Sequence, residues 1–340
     1  MTASIQDVAQ LAEVSVSTAS RAFSRPDMVA PRTRATILKA ADTLGFTLSR
    51  SAGALKSGKT YRIALLLDSK PSIWFNANVI EGLTDVLRPR YYDLSLYPIE
   101  STQKSKEFFE TLPIKRNVDA VVVASFAINE QQAKKLTQLN IPIVGINTPT
   151  WKGLSAGVSI DDKKAMYDMT RYVISMGHER IAYVGYVPDK GLTFSANRRL
   201  QGFQDACQDS DRDVDYSIEM ISQSDMKDDE FTAESTVSRL ATLPTNPTAV
   251  CCQQDNIAIP LICGLRRLGF EVPRDVSVTG FDDSMYSPAF GLTTMRQDPA
   301  DSARRTAQKL MQLIDGDPVE APFETLPAEL QIRSSVARNL

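Results

Sequence analysis

The sequence is poor in the residues that build metal centres and disulfide frameworks. Its 340 residues include one histidine, His178, and four cysteines, Cys207, Cys251, Cys252 and Cys263, which form no C-x-x-C pair. This spacing matches no zinc motif and no disulfide framework, so we expect buried, reduced thiols and no metal site. One histidine also leaves little material for a catalytic triad, and we expect His178 to be structural.

Long apolar runs are also missing. None is longer than the run from Ile63 to Leu67, whereas a membrane helix needs roughly 20 residues. The first residues, MTASIQDVAQ, have neither the basic nor the apolar region of a secretory signal. We therefore expect a cytoplasmic protein without a membrane span.

The composition is that of a globular protein, with 43% hydrophobic and 23% charged residues over a length that favours two or three domains. Its charge is unevenly distributed. The first 60 residues hold 8 Lys and Arg against 4 Asp and Glu, out of 38 and 41 in the whole chain. A basic segment on an acidic protein favours a polyanionic partner for that segment.

The basic segment has the pattern of three short helices. Apolar residues recur at helical spacing from Ile5 to Ala12, and Ser4 with Asp7 resembles a capping box. A second helix capped by Ser15 turns Ala19, Ala22 and Phe23 inward, and a third extends from Pro31 to Gly45. Two helices joined by a tight turn and followed by a third are typical of a helix-turn-helix module.

The second helix, SVSTASR, has the residues of a DNA recognition helix. Arg21 can donate two hydrogen bonds to guanine, Ser17 can contact either base type, and Val16 can contact a thymine methyl group. Small side chains also allow close approach to a duplex. A small helical core with an incidental exposed arginine is the alternative on this pattern alone.

Residues 53–60, GALKSGKT, satisfy the letters of a phosphate-binding P-loop. A P-loop follows a strand and opens a helix, so that backbone N–H groups face the phosphates. Here a helix-like stretch precedes the motif and the strand candidate RIALLL follows it. The order is reversed, which argues against nucleotide binding.

From Tyr61 onward, strand candidates alternate with amphipathic stretches, as in doubly wound parallel sheets. The strand candidates are RIALLL, DLSLYPI, DAVVVAS, IPIVGIN, GVSI, RIAYVG, TAVCC, VSVTGF and LTTMR. Ligands of such folds bind beyond the carboxyl ends of the strands, which for two facing halves is the cleft between them. Asp68 and Asp282 end strand candidates. Other polar and aromatic residues of the expected cleft are Trp74, Phe75, Arg199, Gln254 and Asp255.

Several stretches give the chain a family resemblance. SIQDVAQLAEVSVSTASRAF, followed by RTRATILKAADTLGF, resembles the DNA-binding segment of the lac repressor family (LacI/GalR). SIDD, MGHERIAYVG, RRLQGF, QQDNIAI, LGFEVPRDVSVTGFDDS and LTTMRQDP resemble its effector domain, which is similar to periplasmic sugar-binding proteins. Glu13 stands where the family has glycine, at a cost of about 1 kcal/mol if its φ is positive.

The resemblance implies an α/β protein in three parts. Residues 1–48 form a three-helix helix-turn-helix DNA-binding domain, 49–60 a hinge helix and linker, and 61–340 a two-lobed effector-binding and dimerisation domain of doubly wound parallel sheets. The chain is expected to cross between lobes near residues 160, 290 and 322. Lobe 1 then comprises about 61–160 and 291–322, and lobe 2 about 161–290 and 323–340.

The resemblance also assigns DNA contacts. The segment from Ser49 to Lys56 is too short for a stable helix alone. In the family it folds when two subunits lie on DNA, and the leucine matched here by Leu55 enters the minor groove. The expected DNA-binding residues are Ser4, Ser15, Val16, Ser17, Thr18, Ser20, Arg21, Ser49, Arg50, Ala52 and Leu55.

For the effector, Arg199 and Asp282 match the most regular ligand contacts of the family, whereas Gln254 stands where asparagine is common. An arginine facing a carboxylate suits vicinal hydroxyls, and an aromatic ring can cover a sugar face. We therefore expect a carbohydrate, with a purine or another metabolite as the alternative. The expected effector-binding residues are Asp68, Trp74, Phe75, Asn147, Ile160, Arg199, Gln254, Asp255, Asp282 and Gln297.

Together these features predict a transcriptional regulator that needs no cofactor. The family resemblance implies that it acts as a repressor. It would bind a near-palindromic operator in double-stranded DNA as a homodimer. A tetramer is not expected, because no leucine-heptad tail follows the last strand candidate. A transported-solute receptor would have an export signal and no basic head. An enzyme would show a correctly placed P-loop, a G-x-G-x-x-G turn or a nucleophile beside a base, and none of these is visible.

Overall fold

The computed structural model describes residues 3–24, 28–46, 59–99, 101–115, 117–187, 192–222, 226–227, 230–231, 233–243 and 246–339. The chain divides into two compact units, Met1–Tyr61 and Arg62–Leu340. Within the described ranges, no helix combines the length and apolar character that a bilayer span requires.

In the described residues of the first unit there are three helices, α1 (Ile5–Leu11), α2 (Val16–Ser24) and α3 (Pro31–Thr43). The predicted capping box at α1 is confirmed. The amide of Asp7 donates to Ser4 Oγ at 3.3 Å, and the amide of Ser4 donates to Asp7 Oδ2 at 2.8 Å. The bond to Asp7 Oδ2, together with a second one that Ser4 Oγ donates to the same oxygen at 2.8 Å, lowers the pKa of Asp7. The two backbone bonds satisfy amides that the helix itself leaves without partners.

Small residues let these short helices pack closely. Val8, Ala19, Ala22, Ile37 and Ala41 are buried in one cluster, so each helix contributes its predicted apolar face. Because α2 turns its alanines inward, its polar residues lie on the opposite side.

Glu13, in the turn between α1 and α2, adopts a φ of 54°. This left-handed conformation is strained for a residue with a Cβ atom. A Glu13→Gly variant is therefore expected to unfold its first unit at higher urea concentration, with a gain of about 1 kcal/mol. Glu13→Ala retains the Cβ atom and serves as the control. An equal gain from alanine would show that side-chain charge, and not φ, limits the stability.

The second unit is built on two six-stranded sheets. The first sheet, lobe 1, has the strand order β13-β5-β4-β3-β1-β2, with every neighbouring pair parallel. Its strands are β1 (Arg62–Leu67), β2 (Asp93–Pro98), β3 (Ala120–Ala124), β4 (Ile143–Ile146), β5 (Ala156–Ile160) and β13 (Phe323–Leu326). Its helices are α4 (Trp74–Leu87), α5 (Thr102–Lys115), α6 (Glu130–Thr137) and α11 (Pro299–Asp315).

The second sheet, lobe 2, has the order β14-β12-β11-β10-β6-β7 and is parallel except for β14. Its strands are β6 (Arg180–Tyr186), β7 (Asp215–Ile221), β10 (Ala249–Cys252), β11 (Ser277–Asp282), β12 (Thr293–Arg296) and β14 (Glu329–Gln331). The hairpin strands β8 (Met226–Lys227) and β9 (Glu230–Phe231) pair separately. Helices α7 (Asp162–Ser175), α8 (Asn197–Gln208), α9 (Ala233–Ala241) and α10 (Asp255–Arg267) complete it.

Two of the three predicted lobe crossings lie at other positions. The strand Thr293–Arg296 was assigned to lobe 1 but pairs with β11 in lobe 2, and Phe323–Leu326 was assigned to lobe 2 but pairs with β5 in lobe 1. The chain thus crosses after residues 160, 296 and 326. The sequence pattern predicted the first of these strands and not the second, and apolar periodicity does not determine which sheet a strand joins.

A short segment of lobe 2 also packs onto lobe 1. Leu192 is buried in the lobe 1 core, and Phe194 forms a bridge with Phe126. The amide of Ser195 donates to Ser125 O at 2.8 Å. Residues 192–195, which we call the strap, therefore link the two lobes beside the cleft.

Candidate functional site

The exposed face of α2 has the residues of a DNA-reading surface. Val16 is 45% exposed, and Ser17 and Arg21 are also exposed. Ser15 Oγ lies 2.8 Å from both Ser17 Oγ and Thr18 Oγ1, and it accepts a hydrogen bond from the amide of Thr18. This hydroxyl cluster holds the first turn of α2 in place and leaves Arg21 on the same exposed surface.

The expected minor-groove residues Ser49, Arg50, Ala52 and Leu55 lie outside the described residues. Strand β1 begins at Arg62, after the P-loop letters at 53–60, as predicted. In a P-loop the strand comes before these letters, so the order here is the reverse.

A cavity of about 290 Å³ lies between the two lobes. It is bordered by residues that follow β1, β3 and β4 of lobe 1, and by residues that end or follow β6, β10, β11 and β12 of lobe 2. All of these positions are at carboxyl ends of parallel strands, where backbone geometry leaves open crevices in doubly wound sheets.

Arg199, in the first turn of α8, is held on several sides. Its side chain is 3% exposed, and its Nε donates to Asp162 Oδ1 at 2.7 Å. Its Nη1 donates to Gln253 O at 2.7 Å, and its Cζ lies 3.5 Å from the centre of the Phe281 ring. A buried guanidinium fixed in this way presents its remaining edge to the cavity at a defined position.

Asp282, at the end of β11, faces Arg199 across 3.6 Å and accepts a hydrogen bond from Gln297 Nε2 at 2.6 Å. Burial raises the pKa of Asp282 to about 7, since it outweighs the opposing effects of Arg199 and Gln297. The carboxyl group therefore changes charge near neutral pH.

The raised pKa of Asp282 has a predictable effect on stability. The folded state binds this proton more tightly than the unfolded state, so its stabilising effect is complete below about pH 4 and is lost as pH rises through about 7. An Asp282→Asn variant is expected to gain stability relative to the parent between pH 4 and pH 8, by an amount on the order of 4 kcal/mol. Urea unfolding of both proteins at the two pH values measures it, and a constant difference would contradict it.

The lobe 1 wall is also polar. Asp68 Oδ1 accepts hydrogen bonds from Ser69 Oγ at 2.8 Å and from Asn76 Nδ2 at 3.2 Å, and burial raises the pKa of Asp68. Asn147 joins the lobes here, because its Nδ2 donates to Ser195 Oγ of the strap at 3.3 Å. Phe75, Ile73 and Phe194 add an apolar surface to this wall.

The structure brings most of the expected effector residues to this cavity. Those that line it are Asp68, Phe75, Asn147, Arg199, Gln254, Asp282 and Gln297.

Trp74, Ile160 and Asp255 were also expected here but are not among the lining residues. Ile160 is buried in the lobe 2 core. Asp255 is occupied elsewhere, because its carboxylate accepts hydrogen bonds from the Ser284 amide, Ser287 Oγ and Thr294 Oγ1. Trp74 precedes Phe75 by one residue at the start of α4, and consecutive helical residues face different directions.

Other lining residues were missed by the sequence analysis. They are Ser69, Ile73, Asn76, Ser125, Tyr186, Phe194, Ser195, Ala196 and Asn256. Tyr186 ends β6, so the strand-end rule used for Asp68 would have found it. Burial raises the pKa of Tyr186 to about 12. The strap residues carry no periodic signal, and only tertiary structure places them here.

Comparison with known families gives two matches along the chain. Residues 4–49 match the family described as bacterial regulatory proteins, lacI family, and residues 170–336 match the periplasmic binding protein-like domain. The first match includes all of α1 to α3, and the second includes most of lobe 2.

Individual proteins match over nearly the whole length. The HTH-type transcriptional repressor PurR of Vibrio vulnificus is 28% identical over 341 residues, covering 99% of both chains. A transcriptional regulator CelR–cellobiose complex is 25% identical, with a TM-score of 0.66 and coverage of 98% of this chain and 99% of that one. The lac repressor dimer bound to operator and the anti-inducer ONPF has a TM-score of 0.78 at 19% identity, covering 99% and 100%. The chain therefore combines a domain of the lacI family of bacterial regulatory proteins with a periplasmic binding protein-like domain, and over its whole length it is similar to HTH-type transcriptional regulators.

Proposed function

We propose that this regulator is a repressor that binds a near-palindromic operator as a homodimer, and that a carbohydrate in the cavity between its lobes controls its affinity for DNA. The observation that supports the carbohydrate most directly is the Arg199–Asp282 pair, 3.6 Å apart in a cavity that also contains Phe75 and Phe194. Paired donors and acceptors match vicinal hydroxyls, and a ring matches the apolar face of a sugar.

One relative favours the same ligand class, and the cavity has the size of a small-molecule site. A volume of about 290 Å³ is near the lower end of the roughly 300–1,000 Å³ typical of small-molecule sites. CelR, which has a similar fold and 25% identity, forms a complex with cellobiose. We expect a disaccharide or another glycoside.

The DNA-binding part of the proposal depends on α2. Its exposed Val16, Ser17 and Arg21 would read base edges in the major groove, while Ser15 and Thr18 fix the start of the helix. Ser4 and Ser20 are proposed to contact the same duplex. The minor-groove contacts of Ser49, Arg50, Ala52 and Leu55 are proposed from the family resemblance.

A second copy of the chain would give the two half-sites of a palindrome. Met285 and Tyr286, which follow β11, are 73% and 60% exposed, an unusual exposure for large apolar side chains. A partner subunit would cover them. The lac repressor, whose fold is similar, has been solved as a dimer on its operator.

Effector control requires that ligand binds one arrangement of the lobes better than another, with a typical coupling of about 1–3 kcal/mol. The strap, which joins the lobes through Phe194 and Ser195, is proposed to hold the closed arrangement. By the family resemblance, residues 49–56 would form a hinge of about two helical turns, and a helix of that length is marginally stable. A coupling of this size is therefore sufficient to change whether it folds on DNA.

The experiment is a thermal-shift screen of the full-length protein with sugars, glycosides and purines, followed by gel shifts with and without the ligands that bind. Stabilisation follows binding by mass action. We expect a disaccharide or glycoside to raise the melting temperature and to change operator affinity. If a purine stabilises the protein and no sugar does, the carbohydrate assignment is wrong and a purine takes its place.

A further inference from the structure

The charge of the cavity depends on Asp162, a buried residue that does not line the cavity itself. Of the described residues that line the cavity, Arg199 is the only cation, whereas Asp68 and Asp282 both carry carboxylates. Arg199 also pairs with Asp162, which is not a lining residue and is 2% exposed. One guanidinium thus faces two carboxylates, Asp162 at 2.7 Å and Asp282 at 3.6 Å.

The fold enforces the pair between Arg199 and Asp162. Arg199 and Gly202 lie one helical turn apart on α8, and a Cβ atom at Gly202 would lie 2.0 Å from the carbonyl oxygen of Lys163 on α7. The glycine therefore allows α7 and α8 to approach closely. Asp162 lies in the first turn of α7, where the helix dipole stabilises a negative charge.

Asp162 takes the shorter of the two contacts, so much of the positive charge of Arg199 is cancelled behind the wall. The raised pKa of Asp282 agrees with this partial cancellation of the Arg199 charge. The groups facing Asp282 are Arg199 and Gln297, which lower its pKa, and Asp255 and Asp162, which raise it. The effects of burial and of the two carboxylates outweigh those of Arg199 and Gln297, so the pKa of Asp282 is raised. The cavity therefore presents no net positive charge to a ligand.

We propose that Asp162 is a specificity-determining residue, which neutralises Arg199 so that the cavity accepts uncharged polyhydroxyl ligands and rejects those with a carboxylate or phosphate. This inference rests on the proposed function, since it concerns the ligand of the same cavity. Asp162 is the second aspartate of the SIDD stretch and acts through Arg199 without touching the ligand.

The test uses the full-length protein and Asp162→Asn, which keeps the shape of the side chain and removes its charge. Two measurements are made on each protein. The first follows the Asp282 carboxyl group by ¹³C NMR as a function of pH, with Asp282→Asn used for assignment. The second compares the affinities of D-glucose and D-glucuronate, which differ by one carboxylate, by calorimetry at pH 8.

In the variant we expect the pKa of Asp282 to fall below its value of about 7, and the affinity ratio of D-glucuronate to D-glucose to rise at least tenfold. Asp168→Asn is the matched control, because Asp168 lies on the same helix and pairs with Lys164 at an exposed position. It should change neither quantity. Asp162→Glu keeps the charge and should leave the pKa of Asp282 near 7, which also guards against misfolding of the asparagine variant.

The outcomes separate this inference from the proposed function. An unchanged pKa of Asp282 in Asp162→Asn, or a parent protein that prefers D-glucuronate, overturns the role of Asp162 whatever the effector is. A lowered pKa without binding of either sugar supports charge balancing by Asp162 and counts against the carbohydrate effector instead.

Discussion

Replacing Arg21 by alanine is expected to remove most of the preference of this protein for its operator over random duplex. Arg21 is exposed on α2, on the side opposite the buried Ala19 and Ala22. A bidentate contact to guanine discriminates by about 1–3 kcal/mol, and a dimer makes it twice, so the specificity ratio should fall by about 30-fold or more. Fluorescence anisotropy with operator and random duplexes at several salt concentrations measures it.

A surface cation elsewhere on the same unit provides the control. Lys39→Ala removes an exposed positive charge from α3. It is expected to weaken binding to both duplexes alike, because a nonspecific charge contributes to affinity through the phosphates. If Arg21→Ala also weakened both duplexes equally, Arg21 would contact the backbone and would not read a base.

Replacing Arg199 by alanine is expected to have the largest effect on the second unit. The change leaves Asp162 buried without its partner, which costs about 3–5 kcal/mol of stability. It also removes charge-assisted hydrogen bonds to the ligand, with a loss of roughly 10- to 100-fold in effector affinity. Binding to operator without effector should persist at temperatures where the second unit is folded.

Denaturation curves, calorimetry with the ligand found in the screen, and gel shifts measure these three effects. Arg198→Ala is the matched control, because Arg198 is adjacent in sequence but exposed. It should change stability by less than about 0.5 kcal/mol. An Arg199→Ala protein with normal ligand affinity would place the ligand outside the cavity between the lobes.

Local rules predicted the features that depend on neighbouring residues. The capping box of Ser4 and Asp7, the start of α3 at Pro31 and the strands at the centres of both sheets follow from side-chain chemistry within one turn or one strand. The placement of Asp68, Asp282 and Gln297 at the cavity follows from a general rule, that strand ends of parallel sheets meet at one edge.

The remaining features depend on long-range packing. Edge strand β7 was missed although Tyr216, Ile218 and Met220 alternate with polar residues, because its side chains are only partly buried and the pattern is weak. The role of Asp162 follows from the approach of α7 to α8, which depends on Gly202 and is invisible from spacing alone. The strap at residues 192–195 has no sequence pattern, and only its contacts with lobe 1 place it.

The most direct test of the central claim, that a basic helical head reads symmetric DNA, is a selection of binding sites from a pool of randomised duplexes by the full-length protein at modest ionic strength. We predict enrichment of a two-fold symmetric sequence whose half-sites are separated by about one turn of DNA, 10–10.5 base pairs, and loss of that enrichment in Arg21→Ala. Recovery of no symmetric sequence, with all duplexes bound equally, would contradict the account.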